Sequence, residues 1–139
     1  MLHGSFAHNI DPKGRMNFPA RMREELGERF WVSLWSEDCL AVFSDERWNS
    51  MCERIDQLPI AEASRLQYYL FPNACMVEPD KQGRILIPQN LREAAKLDKD
   101  VVVIGLMNRA EIWDKTRWEE SKLAFTREDF KARLQEQRI

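Results

Sequence analysis

The chain predicts a mostly β fold with short helices, an α+β class, made from two copies of one unit about a pseudo-two-fold axis. Three observations carry this. Asp11-Pro12-Lys13-Gly14-Arg15, with Pro19 and Arg23 behind it, returns as Asp80-Lys81-Gln82-Gly83-Arg84, with Pro88 and Arg92 behind. The displacement is the same for the Asp, Gly, Arg, Pro and Arg positions. Each copy then continues into two apolar runs separated by a polar turn, the pattern of a hairpin. Finally, Val42-Phe43-Ser44-Asp45-Glu46-Arg47-Trp48 lies over Ile112-Trp113-Asp114-Lys115-Thr116-Arg117-Trp118 once one residue is inserted in the second copy. An aromatic residue ending the strand and a tryptophan behind it thus recur together, which marks an internal duplication.

In the first copy, Ser5 to Ile10 predicts a short strand with Phe6 and Ile10 inward. Asp11-Pro12-Lys13-Gly14 predicts a turn, proline suiting its second position and glycine its last. Asp11 can accept backbone N–H groups and close the loop. Arg15 to Phe18 predicts a strand with Met16 and Phe18 inward. Pro19 suits the first turn of a short helix over Ala20 to Leu26, and Gly27 its left-handed end. Phe30 to Leu34 and Cys39 to Phe43 form the hairpin around Ser36-Glu37-Asp38. Ser44 caps a helix whose Trp48, Met51, Cys52, Ile55 and Leu58 recur at helical spacing. Pro59 interrupts it, and a second helix spans about Glu62 to Leu70.

The second copy repeats the series. Ala74 to Val77 is the opening strand, Asp80 to Gly83 the turn, and Arg84 to Ile87 the next strand. Pro88 starts a helix reaching Ala95 or Lys96. Val101 to Ile104 and Ala110 to Trp113 form the hairpin, and Asp114 takes the cap position of Ser44. Thr126 caps a final helix, with Asp129 at its third position and Phe130 and Leu134 on one face. Each unit has about 70 residues, and the part holding the hairpin and short helix is roughly 45; pieces that small rarely enclose a sufficient core alone, so the strands of the two copies are expected to interleave.

Composition limits the functional classes. The 139 residues are 44% hydrophobic and 32% charged, ordinary values for a globular domain. No apolar run reaches the length of a membrane span, and the first residues lack the basic and apolar sequence of a secretory signal. Cytoplasm is the expected compartment. Cys39, Cys52 and Cys75 are odd in number and contain no CxxC pair, and His3 and His8 lack clustered partners, so no metal site and no cofactor is expected. There is no GxSxG, HExxH or phosphate-binding loop motif. Asp11 and Asp80 each have an arginine four residues on, which depresses a carboxylate's pKa and makes a poor general base. The chain is expected not to be an enzyme.

The net charge of −2 weighs against a polyanion partner, but the distribution does not. Residues 11–23 carry Lys13, Arg15, Arg21 and Arg23 against Asp11. Residues 80–92 carry Lys81, Arg84 and Arg92 against Asp80. Local charge decides where a nucleic acid lies. Two readings of the repeated turn stand here. It is a structural turn whose arginine is solvated or pairs with the local aspartate, or it is part of a basic surface for DNA. Trp31, Trp35, Phe43, Trp48, Trp113 and Trp118 read better as core or subunit interface than as base-stacking platforms, which suit single strands.

The residues just quoted, Ile10 to Arg15 with Pro19 and Arg23, and Asp80 to Arg84 with Pro88 and Arg92, resemble the MraZ family over essentially the whole chain. The resemblance implies tandem SpoVT-AbrB-like domains, a swapped-hairpin or double-split β-barrel with both halves in one chain. The corresponding boundaries are 5–47 for the first domain, 48–73 for a helical linker, 74–117 for the second domain and 118–139 for a helical tail. It implies a bacterial transcriptional regulator that binds double-stranded DNA at repeats upstream of the division and cell-wall gene cluster, including its own promoter. It also implies a ring-like homo-oligomer associated with the nucleoid. Carried over, the pattern gives Arg15 and Arg84 as DNA-contacting residues, with Asp11, Gly14, Asp80 and Gly83 supporting their turns. Lys13 and Lys81 join them from local charge. The copies are not identical: Gln82 stands where the first copy has Lys13. The competing expectations are a non-enzymatic structural or scaffolding oligomer with a basic face, and an antitoxin-like or RNA-binding regulator.

Overall fold

Two hairpins, one from each half, meet edge to edge at the centre of the molecule. The computed structural model describes residues 1–139. In chain order the elements are β1 (Ser5–Asn9), β2 (Arg15–Asn17), α1 (Ala20–Leu26), β3 (Phe30–Leu34), β4 (Leu40–Ser44), α2 (Asp45–Asp56) and α3 (Ile60–Leu70). A short 3₁₀ turn at Phe71–Asn73 leads to β5 (Ala74–Val77), β6 (Arg84–Leu86), α4 (Gln89–Ala94), β7 (Asp100–Gly105), β8 (Ala110–Asp114), α5 (Lys115–Lys122) and α6 (Arg127–Glu136). The hairpins β3–β4 and β7–β8 join along β4 and β8, with Ala41 opposite Glu111.

Each hairpin takes its outer strand from the other half. β1 pairs with β7, Ala7 opposite Val102, and β5 pairs with β3, Cys75 opposite Val32. The result is a six-stranded antiparallel sheet in the order β1-β7-β8-β4-β3-β5. β2 and β6, again one from each half, form a separate two-stranded ribbon centred on the pair Met16 and Ile85.

Strand alternation sorts the side chains onto two faces. Phe30, Val32, Leu40, Val42, Val101, Val103, Ala110 and Ile112 point to one face. There they pack with Met16, Phe18, Ile85 and Ile87 from the ribbon region and with Met22 and Leu91 of the short helices. The intervening residues point the other way. Ala41 and Phe43 meet Trp48 and Ile55 of α2 and Ala63 and Leu70 of α3, while Val102, Ile104 and Trp113 meet Trp118 of α5. Both faces of the sheet are therefore covered. This is why β4 and β7 read as continuous apolar runs rather than as alternating strands.

The tryptophans serve this second layer. The Trp31 and Trp48 rings stack at 4.9 Å between centroids, and the Trp31 indole N–H donates to Asp45 at 2.9 Å. Buried Glu111 accepts from Arg109 at 2.9 Å and from the Trp113 indole at 3.0 Å, so the one buried acidic side chain is partnered at both oxygens. Helix starts follow the expected chemistry. Ser44 accepts from the Arg47 N–H, Asp114 from Arg117 and Thr126 from Asp129. Pro19 and Pro88 stand one residue before their helices, in extended conformation, rather than inside the first turn.

The expectation of a mostly β chain with a double-split β-barrel is overturned. Helix accounts for 41% of the residues and strand for 28%, so the fold is a mixed α/β one. Neither sheet closes: β1 and β5 are free edges of the six-stranded sheet, and the ribbon stays separate from it. The helical excess has a physical cause. The hairpin strands are apolar on both sides, and two-sided burial requires a second layer, which α2, α3 and α5 supply. α6 adds helix without adding core, since none of its residues is buried.

Candidate nucleic-acid interface

The ribbon is where the repeated motif becomes a surface. Asp11 closes its turn by three bonds. One carboxylate oxygen accepts the backbone N–H groups of Lys13 and Arg15, both at 2.9 Å, and the other accepts Arg15 Nε at 2.9 Å. Asp80 does the same with the N–H groups of Gln82 and Arg84 and with Arg84 Nε, all at 2.9 Å. Gly14 and Gly83 end the turns at φ 86° and 80°, a region open to glycine at little cost. The Arg15 N–H donated to Asp11 is the leading reason that this carboxyl lies below the ordinary carboxylate range, and the Arg84 N–H acts likewise on Asp80.

The consequence for the arginines is orientation. Nε of each is committed to an aspartate, while the Nη nitrogens of both make no hydrogen bond within the chain. Each guanidinium is therefore held from behind and offers its outer edge, two parallel donors in the geometry that suits a phosphate or a guanine. The ribbon register places them together. Arg15 is opposite Leu86, Asn17 is opposite Arg84, and Met16 and Ile85 between them are 1% exposed. Alternation thus puts Arg15, Asn17, Arg84 and Leu86 on one outward face, with the two arginines as diagonal neighbours about 7–8 Å apart at Cα. The turns lie at opposite ends of this ribbon. Lys13 and Lys81 are exposed within them, Lys13 beside Arg15 and Lys81 at the Arg84 end.

The two turns are also locked to each other. The Phe18 N–H donates to Gly83 O at 3.0 Å, and the Ile87 N–H donates to Gly14 O at 2.9 Å. Arg23 Nε donates to Phe18 O at 3.1 Å, and its guanidinium covers Gly83, where an added Cβ would lie 2.7 Å from Arg23 Cζ. Arg92 reciprocates: Nε donates to Ile87 O at 2.9 Å and the guanidinium lies over Gly14, 3.0 Å from such a Cβ. Sequence reasoning noted that Arg23 and Arg92 recur but assigned them no role. Each crosses to the turn of the opposite half, and their fixed spacing behind the glycine was the available signal. No group of His, Cys, Asp and Glu side chains is arranged to hold a metal ion. The cysteines are free, and burial pushes the thiols of all three up. No helix is long and apolar enough to cross a membrane.

Such a face, a short antiparallel ribbon carrying two buttressed arginines from two copies of one motif, defines a cation-presenting module. The model of the family described as "MraZ protein, putative antitoxin-like" matches residues 1–67 and again residues 70–138. Among similar proteins, the transcriptional regulator MraZ of Desulforamulus reducens is 47% identical over 121 residues, spanning 86% of this chain and 85% of that protein. The transcriptional regulator MraZ of Acetivibrio thermocellus is 44% identical over 121 residues, with the same coverage. That of Heliobacterium modesticaldum is 48% identical over 120 residues, spanning 85% and 84%. The chain belongs to the MraZ family. The family is one of regulators, and membership agrees with a non-enzymatic protein.

Proposed function

We propose that this protein is a transcriptional regulator whose β2–β6 ribbon enters the major groove of double-stranded DNA. It would act on repeats upstream of the division and cell-wall gene cluster, its own promoter included. The observation that carries the reading is the pair Arg15 and Arg84, turned outward by Asp11 and Asp80 on one face of a ribbon narrow enough for the groove. Lys13 and Lys81 hold flanking phosphates, which position the ribbon without specifying sequence. The similar proteins, named as transcriptional regulators, support the regulatory role, and the local excess of basic residues supports a polyanionic partner.

One ribbon offers few cations, so repeated sites are best served by several subunits. A ring-like homo-oligomer in the cytoplasm, associated with the nucleoid, would raise the effective concentration of each ribbon at the next repeat.

The test is a titration of the full-length protein against a labelled duplex bearing its own upstream repeats and against a scrambled duplex, at two salt concentrations. Arg15→Ala and Arg84→Ala run in parallel. The expected result is a preference for the repeats that survives the higher salt and falls about tenfold or more in either variant. Equal binding to both duplexes, collapsing together as salt rises, would reject the proposal and leave polyanion attraction alone.

A further inference from the structure

The recognition ribbon is symmetric in its frame and asymmetric in its outward side chains. Superposing one half on the other exchanges Arg15 with Arg84 and Met16 with Ile85, the latter pair lying at the centre of the register. The same operation exchanges Asn17 with Leu86. These two residues share the outward face with the arginines. Each stands directly opposite the arginine of the other strand: Asn17 opposite Arg84, and Leu86 opposite Arg15. Asn17 is exposed and its amide makes no hydrogen bond within the chain. Leu86 is 56% exposed at one end of an otherwise polar face. Neither side chain has a structural task that explains its identity.

We infer that Asn17 and Leu86 are specificity-determining residues that make the two ends of the ribbon read different bases. This rests on the proposed major-groove docking. The Arg84 end pairs its guanidinium with an amide, which matches the N6 donor and N7 acceptor of adenine. The Arg15 end pairs its guanidinium with an alkyl group, which has no hydrogen-bond capacity and suits the methyl of thymine. The element bound by one subunit is consequently not palindromic, although the scaffold that reads it is nearly two-fold. Orientation on the DNA is set by these two residues.

The experiment selects binding sites from a pool of random-sequence duplexes with the full-length wild type, with Asn17→Leu, with Leu86→Asn and with the double exchange. Circular dichroism melts accompany each. Both positions are surface-exposed, so all four proteins are expected to melt alike; Asn17→Ala serves as a second probe of the first position. The wild type should select a non-palindromic element. Asn17→Leu should lower the preference for its adenine about tenfold and drive the selected element toward a palindrome. The double exchange should recover a non-palindromic element. If the wild type selects a sequence and the single variants select the same one with the same base preferences, the inference is overturned and the docking reading stands. If the wild type selects nothing, the docking reading itself fails and the inference falls with it.

Discussion

Asp11 and Asp80 show how much a single carboxylate can organise. Each accepts two backbone N–H groups and one guanidinium N–H, so each turn is specified by one side chain. These bonds hold the folded-state pKa below the ordinary value of 3.8. A depressed carboxylate stabilises the fold above its unfolded pKa, and that contribution is lost as pH falls through the lower folded value. The denaturant midpoint of the wild type should accordingly drop as pH is taken below about 4, and Asp11→Asn with Asp80→Asn should flatten that part of the profile. A second prediction concerns Gly14. Its φ of 86° alone makes a side chain cost about 1–2 kcal/mol, and the added Cβ would press on the Ile87 carbonyl oxygen at 3.0 Å. Gly14→Ala should lower stability in urea by at least that amount, with amide exchange at Ile87 accelerating as its bond to Gly14 loosens. The turn residues were legible in the sequence because proline, glycine and aspartate each have a local reason to be there. The roles of Arg23 and Arg92 were not: their recurrence is plain, but local spacing does not say that each covers the glycine of the opposite half.

At the level of elements, the strands and helices mostly lie where periodicity and caps put them. α1 over Ala20–Leu26, β3 over Phe30–Leu34 and β5 over Ala74–Val77 coincide with the expected ranges, and Ser44, Asp114 and Thr126 cap as expected. What the pattern hid was layering. A run such as Val101 to Ile104 gives the same signal whether its second face meets a barrel wall or a helix, so the pattern predicts a mostly β class where helix prevails. The second layer carries weight that can be measured. Trp48 is 3% exposed and sits among Trp31, Phe43 and Phe71. Trp48→Ala should cost about 3–5 kcal/mol in equilibrium unfolding. α6 differs: Phe130 is 61% exposed and nothing on the helix is buried. Deleting residues 127–139 should leave the melting behaviour of the rest nearly unchanged, as a thermal scan at dilute concentration would show.

Across the whole molecule, the halves are not separable. β1 is bonded to β7, β5 to β3 and β2 to β6, so residues 1–73 alone would lack a partner for β1, β2 and one side of β3. A fragment ending there should remain unfolded by circular dichroism and recover structure only when mixed with the complementary fragment. The duplication was readable because it repeats a motif at a fixed displacement. The strand exchange was expected from the small size of each unit and from the swapped hairpins that the resemblance implies, and the sheet order itself required the structure.

That exchange has a thermodynamic consequence. Had the same strands been traded between two separate molecules, mass action would govern the ribbon, and dilution would pull Arg15 away from Arg84. Here the association is unimolecular. A subunit released from any larger assembly retains both arginines at their fixed spacing, so assembly multiplies complete two-arginine ribbons and is not required to create them.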